Sequence, residues 1–200
     1  INVHEQNKRI CIKYILTMRK IILLFFIFLS FFLNAHEPNY GLYFKSHKYM
    51  GAERTALVLN NNKPFRLNKE FILSFDMSLR NGFIFGTVFK IISDTQDVIS
   101  LNFIADEKNN HYPILSINDN IYPITNRIEL NKWFFVNIRF SAKKDSVLLD
   151  YDKIHLAIPF SFKDWREVSL YFGVCRHPNF SSAEIPPMNV RNIKIHSNNK

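Results

Sequence analysis

Apolar and polar residues alternate along most of the chain from Gly41 onward. The segment "FILSFDMSL", residues 71–79, shows the pattern most clearly. Phe71, Leu73, Phe75, Met77 and Leu79 fall on one side of this segment, and Ile72, Ser74, Asp76 and Ser78 fall on the other. Side chains of a β-strand alternate between two faces. The segment is therefore predicted to be a strand with one face in a core and the other toward solvent.

The stretch "NKWFFVNIRFSAKKDSVLLDYDKIHLAI", residues 131–158, predicts three strands joined by two turns. Its inward positions are Phe134, Val136, Ile138, Phe140, then Val147, Leu149, Tyr151, then Ile154, Leu156, Ile158. Trp133 leads the first of these strands, on the opposite face. We interpret the stretch as a wall of the fold, because period-two alternation alone accounts for its apolar residues.

Further strands follow from "FIFGTVFKII", which is apolar on both sides, and from "DVISLNFIA", which groups Ile99, Leu101 and Phe103. Turn-forming segments recur about every 8–14 residues. Only "SFKDWREVS", residues 161–169, could form a helical turn. Many short strands at this spacing are typical of antiparallel sandwiches and barrels. The sequence thus predicts an all-β fold without internal repeats or a second domain.

The N-terminal region has the layout of a secretory signal peptide. It begins at Met18 with two cations, continues through an apolar stretch at residues 21–33, and reaches a small residue at Ala35. A membrane-spanning helix needs roughly 20 apolar residues. The apolar stretch here is shorter, so we expect a signal peptide that is cleaved after Ala35. Residues 1–17 would then precede the true start, and residues 36–200 would form one exported domain. Its destination would be the periplasm, the cell surface or the medium, and it would meet the membrane only during export.

Charge and cysteine content exclude two classes of protein. The formal charge is +9 for the chain and +5 for residues 36–200. The cations of that region are scattered, whereas a nucleic-acid site needs a basic cluster or stripe. Cys175 is the one cysteine after residue 35. We expect no nucleic-acid partner and no internal disulfide, so the stability of the domain depends on its hydrophobic core.

Five segments together resemble a known family. "YGLYFKSH", "ERTALVL" and "KPFRLNKEFILSFDMSL" resemble the opening of a laminin-G-like domain of the concanavalin A-like lectin/glucanase superfamily. The Trp133-led strand and hairpin, and the closing "YFGVCRHPNFSSAEIPPMNVRNIKI", resemble later parts of such domains. The resemblance spans roughly Tyr40 to His196. The same region is also similar to N-terminal modules of exported Bacteroidetes proteins. The resemblance implies two curved antiparallel sheets stacked as a β-sandwich, or jelly roll.

The superfamily includes glucanases, which carry a catalytic pair of carboxylates. Retaining glycosidases use two carboxylates about 5–5.5 Å apart. In the jelly-roll glucanases both lie on one strand, in a Glu-x-Asp-x-(x)-Glu pattern. None of the seven glutamates in residues 36–200 is followed two positions later by Asp. We expect no enzyme of this class, and a hydrolase with a carboxylate pair across strands stays as an alternative.

Acidic and amide residues in three turns raise the question of a metal. The turns "SDTQD", "NDN" and "DYD" could supply the oxygen ligands that calcium requires. Asn and Asp are also common turn residues, and turn chemistry accounts for them without a metal. The histidines lack the spacing of a zinc site. We expect no metal cofactor, with calcium as the less favoured alternative.

Exposed aromatic rings commonly stack on the apolar faces of sugars. Trp165 and Tyr122 lie in or beside polar loop segments, and Arg176 and His177 could add hydrogen bonds at one end of the sandwich. These four residues are the candidate ligand-binding site. The sequence favours a non-catalytic exported recognition module, with a glycan or another protein domain as its partner. The alternative is a structural domain that packs on further domains of a longer protein.

Overall fold

The computed structural model describes residues 41–67, 70–82, 84–105, 111–124, 129–141 and 144–197. All of them lie in one compact unit, Tyr40–Lys200. The predicted signal peptide, residues 18–35, and the residues before it lie outside the described residues. No helix in the described ranges is long and apolar enough to cross a membrane.

The described ranges form thirteen strands and two short 3₁₀ turns, at Gly51–Glu53 and Asn60–Asn62. The strands are β1 (Leu42–Phe44), β2 (Ala56–Val58), β3 (Phe65–Arg66), β4 (Glu70–Leu79), β5 (Gly86–Ser93), β6 (Val98–Ala105), β7 (His111–Ile117), β8 (Asn120–Pro123), β9 (Trp133–Ser141), β10 (Ser146–Tyr151), β11 (Ile154–Pro159), β12 (Glu167–Gly173) and β13 (Met188–Ser197). The helical turn considered for residues 161–169 does not form. The backbone N–H of Trp165 instead donates to the Phe162 carbonyl, 3.1 Å away, in a simple turn.

The strands form two antiparallel sheets. Sheet 1 has the order β1-β13-β4-β9-β10-β11. Sheet 2 has the order β2-β12-β5-β6-β7-β8, and β3 also pairs with β12. Strands distant in sequence are therefore neighbours in each sheet, as in a jelly roll. The predicted two-sheet β-sandwich is confirmed, and so is the absence of parallel pairing among the described strands.

The core lies between the sheets, and the predicted alternation fills it. The five apolar residues predicted to face inward from β4 are all fully buried: Phe71, Leu73, Phe75, Met77 and Leu79. Phe75 joins the two sheets, because its ring meets Phe89 and Phe172 of sheet 2 edge-on at centroid distances of 5.8 and 5.0 Å. Edge-to-face pairs of this kind add stability beyond the buried area.

The Asn and Asp residues of the turns serve the backbone. Asn118 and Asp152 adopt left-handed conformations, with φ of 51° and 52°, at the β7–β8 and β10–β11 turns. Asn and Asp tolerate this conformation better than other residues with a side chain, because their short polar side chains bond locally. Hairpin geometry thus accounts for their presence in "NDN" and "DYD".

The outer face of sheet 1, which points away from the core, carries paired charges and rings. Asp76 accepts a hydrogen bond from Asn192 Nδ2 at 2.7 Å and lies 3.4 Å from Arg191 Nε. The Arg191 guanidinium also covers the Trp133 ring, 4.1 Å from its centroid. The polar row around Asp76 is therefore occupied by contacts within the protein.

Candidate ligand-binding site

A patch of polar side chains lies on the outer face of sheet 2, on strands whose other face is the core. Lys90 of β5 lies opposite Ser100 of β6, and Ser100 lies opposite Ser116 of β7. Thr87 and Asn102 form the neighbouring row. The residues between them, Phe89, Leu101 and Leu115, are fully buried in the core. Each strand thus contributes both to the core and to the patch.

A bulge in β5 brings Thr87 and Lys90 onto the same face. Thr87 lies opposite Asn102 and Phe89 lies opposite Leu101, so Val88 is an extra residue between them. Val88 and Phe89 both pack into the core. A β-bulge bends its strand and re-aims side chains in this way. Strict alternation would instead have placed Thr87 and Lys90 on opposite faces.

A cavity of about 600 Å³ opens over this patch. This volume lies within the range of small-molecule sites, roughly 300–1,000 Å³. The residues that line it are mostly polar: Thr87, Lys90, Gln96, Asp97, Val98, Ser100, Asn102, Ser116, Asn118, Asp119 and Phe180. Hydroxyl and amide groups both donate and accept hydrogen bonds. The cavity therefore suits a ligand that presents many hydroxyl or other polar groups.

Lys90 is the cation of this cavity, and it is half-buried. Its Nζ donates a hydrogen bond to the Phe180 carbonyl, 3.1 Å away. Burial lowers the pKa of Lys90, and the nearby Cys175 offsets part of that effect. An ammonium group has three N–H donors. The Phe180 carbonyl uses one of them, which leaves capacity for acceptors from a ligand.

One rim of the cavity is held by the Asp97 carboxylate. Oδ2 accepts hydrogen bonds from Trp165 Nε1 at 2.6 Å and Thr95 Oγ1 at 2.8 Å, and Oδ1 accepts one from Asn118 Nδ2 at 2.8 Å. These bonds tie the β5–β6 turn to the β7–β8 turn. Partial burial would raise the pKa of Asp97, but the three hydrogen bonds outweigh it and hold the pKa below its ordinary value.

The other rim is a loop that runs from Cys175 to Ser182 over sheet 2. Its two ends exchange backbone hydrogen bonds of 2.9 and 3.0 Å. Phe180 packs against a small apolar cluster outside the core, made of Ile92, Tyr171 and Cys175. Burial is the main reason that the pKa of the Cys175 thiol is raised. A protonated, enclosed thiol is a packing group rather than a nucleophile.

A second cavity, of about 400 Å³, is also lined by this loop. His177 lines it and stacks on the Phe180 ring at a centroid distance of 5.3 Å. The remaining lining residues are Pro64, Ile92, Ser93, Asp94, Gln96, Glu167, Ser169, Pro178 and Asn179. Gln96 borders both cavities, so they are neighbours on the same face of the sheet.

The four residues predicted to bind a ligand do not form one site. Trp165 is only 5% exposed, since Phe140, Phe160 and Phe162 surround its ring at centroid distances of 5.6–6.0 Å. The expectation that it offers an exposed ring is therefore wrong. Trp165 is linked to the cavity by its hydrogen bond to Asp97.

The other three predicted residues occupy different places. Tyr122 lies opposite Leu115 in the edge strand β8, is half-buried and packs against the core. It does not line either cavity. Arg176 is exposed on the Cys175–Ser182 loop, next to His177 at the second cavity. The structure thus brings only His177 into contact with a candidate site.

The sequence pattern contained a signal for the polar patch. In "DVISLNFIA", Ser100 and Asn102 alternate with the apolar residues predicted to face the core. Two polar residues on the outer side of a central strand indicate a wet outer face. The grouping with Thr87 and Lys90 was missed, because the bulge in β5 is not visible in the alternation.

In the described part of the chain, no three His, Cys, Asp or Glu side chains are grouped so as to hold a metal ion. Two of the acidic turns considered for calcium make hydrogen bonds within the protein. Asp94 Oδ1 accepts from Arg166 N–H at 3.0 Å, and the Asp150 carboxylate accepts from Asn137 at 2.8 Å and contacts His155 at 2.7 Å.

Comparison with known proteins gives a fold but no sequence relative. No protein-family profile matches the chain, and no curated protein is similar to it in sequence. Similar solved structures include a SAP-like pentraxin from Limulus polyphemus, with 10% identity and a TM-score of 0.51 over 80% of this chain and 71% of the pentraxin.

Two further solved structures have a comparable likeness. One is domains LG4-5 of the mouse laminin α1 chain, with 14% identity and a TM-score of 0.50 over 74% of this chain and 40% of that one. The other is tailspike protein 2 of an Escherichia coli O157:H7 bacteriophage, with 12% identity and a TM-score of 0.53 over 80% of this chain and 23% of the tailspike. At these identities the likeness concerns the fold alone. The chain therefore has the concanavalin A-like jelly-roll fold that these proteins share.

Proposed function

We propose that this chain is a non-catalytic recognition module that binds a carbohydrate in the cavity over Lys90, Ser100 and Asn102. The observation that carries the proposal is the polar patch itself. Four hydroxyl or amide side chains and one cation stand together on a sheet face whose strands otherwise serve the core. Such a patch suits a ligand that presents many hydroxyl groups at fixed spacing.

The details of the patch match the chemistry of a sugar. A sugar hydroxyl donates one hydrogen bond and accepts others, as the side chains of Ser, Thr and Asn do. Asn102 Nδ2 already donates to Ser100 Oγ at 2.8 Å, so the amide and hydroxyl are held in place before a ligand arrives. Phe180 adds an apolar ring at the rim of the cavity, against which the C–H face of a sugar can pack.

The fold and the N-terminal sequence are consistent with this proposal. The jelly roll agrees with the resemblance of residues 40–196 to laminin-G-like domains, and we retain that family and the Bacteroidetes context as part of the proposal. Export would follow from the signal layout at residues 18–35. Mass analysis of the secreted product should then find His36 at its N-terminus, and a mature chain that retains residues 18–35 would contradict export.

The test of the proposed function is saccharide binding by matched variants. Purified protein would be screened on a glycan array, and hits would be measured by calorimetry. Asn102→Ala removes an amide from the patch, and Asn189→Ala removes a half-buried amide from the outer face of sheet 1. One lost hydrogen bond costs about 0.5–1.5 kcal/mol, which is roughly a two- to tenfold loss of affinity.

Binding should weaken in Asn102→Ala and stay unchanged in Asn189→Ala. Equal losses, or no saccharide bound at all, would contradict the proposal. Release of new reducing ends from a bound polysaccharide would show a hydrolase instead. Self-association of the wild-type protein without saccharide binding would favour a domain that packs on a protein partner.

A further inference from the structure

We propose that the ligand of the sheet 2 cavity is an acidic saccharide, one that carries a carboxylate or sulfate group, and that this group sits on Lys90. The inference rests on the proposed carbohydrate-binding function and specifies its ligand. Three observations carry it: the missing counter-ion of Lys90, the distribution of charge in the cavity, and the hydrogen bonds already made by Asp97.

The positive charge of Lys90 is not neutralised within the described residues. Its hydrogen bond goes to the neutral carbonyl of Phe180, and no carboxylate in the described ranges lies within ion-pair distance of Nζ. A partly buried charge is costly unless it is paired. The lowered pKa of Lys90 reflects this cost. An anionic ligand would supply the missing partner and use the remaining donors.

The acidic residues of the cavity lie at a different place from Lys90. Asp97 precedes β6, and Ser100, which faces Lys90, is three residues further along that strand. Three residues of an extended strand span about 10 Å. Asp119 is exposed in the β7–β8 turn, where solvent screens its charge. The cavity therefore has a cationic middle and an acidic end.

The hydrogen bonds of Asp97 further reduce the repulsion between its carboxylate and an anionic ligand. Its carboxylate accepts from Trp165, Thr95 and Asn118. A carboxylate that accepts several hydrogen bonds is stabilised by donors at short range. The remaining accepting capacity at that end suits sugar hydroxyl groups. The arrangement predicts an orientation, with the acidic group on Lys90 and hydroxyl groups toward Asn118 and Asp119.

Lys90 also ties the Cys175–Ser182 loop to the sheet through the Phe180 carbonyl, and a purely structural role would need only that bond. Lys90→Gln separates the two roles, because the amide keeps an N–H donor and removes the charge. Lys194→Gln is the matched control, since Lys194 is an exposed lysine on β13 of sheet 1. Thermal unfolding would establish that both variants fold.

The experiment compares acidic saccharides with neutral counterparts of the same backbone by calorimetry. One arm uses oligogalacturonate and its methyl ester, and a second uses chondroitin oligosaccharides with and without sulfate. A charged hydrogen bond contributes about 1.5–3 kcal/mol, so the acidic form should bind at least roughly tenfold more tightly in one arm. That arm identifies carboxylate or sulfate as the group. Lys90→Gln should abolish the preference, and Lys194→Gln should retain it.

Added salt supplies a test that needs no variant. Raising NaCl from about 0.05 to 0.5 M should weaken the acidic ligand and leave the neutral one nearly unchanged, because salt screens charge pairs. Equal affinity for acidic and neutral forms would overturn this inference while the carbohydrate-binding function stands. A preference that survives in Lys90→Gln would also overturn it. Failure of every saccharide to bind would overturn both proposals.

Discussion

Trp165 and Asp97 form a hydrogen bond of 2.6 Å that joins the core of the sandwich to the rim of its polar cavity. The indole ring lies among core phenylalanines, whereas the carboxylate lines the cavity. Aromatic N–H groups that are buried generally find such a partner. Trp165 thus acts on the candidate site as a positioning residue and not as a stacking ring.

Trp165→Phe should destabilise the protein by about 1.5–3 kcal/mol, the contribution of a hydrogen bond to a charged group, together with some loss of packing. A double-mutant cycle with Asp97→Ala, measured by denaturant unfolding, isolates the bond from the packing. We expect a coupling energy of about 1 kcal/mol or more. Additive effects of the two substitutions would show that the two residues do not support each other.

The pH dependence of stability should reveal the same carboxylate. The pKa of Asp97 in the folded protein lies below its ordinary value, because hydrogen bonds outweigh the opposing effect of partial burial. A carboxylate with a lowered folded pKa stabilises the fold above its unfolded pKa, about 3.9, and this contribution is lost as the pH falls through the folded pKa. The free energy of unfolding should therefore decrease below about pH 4.

Asparagine variants test which carboxylates cause this decrease in the free energy of unfolding at acid pH. Asp97→Asn should flatten the decline, because the titrating group is gone. Asp150→Asn should flatten it as well, since hydrogen bonds from His155 and Asn137 outweigh burial and lower the pKa of Asp150. Chemical unfolding between about pH 2 and pH 6 measures both slopes. Variants whose slopes equal that of the wild type would contradict the role of these carboxylates.

The register of β4 predicts very different costs for two adjacent substitutions. Phe75 is fully buried and contacts rings of the opposite sheet, so Phe75→Ala should cost about 3–5 kcal/mol. Asp76 faces outward, and Asp76→Ala should cost less than about 2 kcal/mol despite its contact with Asn192. Urea unfolding of both variants measures the difference. Equal losses would mean that the strand is displaced by one residue.

The thiol of Cys175 should be unreactive in the native protein. It is 1% exposed, and burial raises its pKa, so little thiolate is present or accessible at neutral pH. A thiol reagent at pH 8 should label Cys175 slowly in buffer and rapidly in guanidinium chloride. Rapid labelling of the folded protein would place the Cys175–Ser182 loop in an open conformation.

Much of the fold was predictable, because alternation in strands follows directly from side-chain geometry. Every apolar position assigned to the core face of "FILSFDMSL" is buried, and the same holds for Ile99, Leu101 and Phe103. Turn residues such as Asn118 and Asp152 were also informative, since left-handed turns select them. These are local properties, and the sequence reports local properties well.

The candidate site depended on features that are not local. The bulge at Val88 places Lys90 beside Ser100, and no residue of "TVFKII" indicates a bulge. Trp165 was predicted to have an exposed ring because charged residues flank it in its loop, yet the ring contacts Phe140 of β9 and Phe160 and Phe162 of the same loop. The prediction for Tyr122 failed for a similar reason. The pairing of β8 with β7 determines which side of the sheet its ring lies on, and that pairing is not visible in the local sequence.

Binding of a carbohydrate to the outer face of sheet 2 can be tested by an amide chemical-shift titration, which locates the bound ligand on the protein. A saccharide that binds in the array would be added to ¹⁵N-labelled protein. We expect the largest shifts at Lys90, Ser100, Asn102, Ser116 and Phe180, which line the cavity. Shifts centred instead on the outer face of sheet 1, around Phe135 and Asn189, would contradict this expectation.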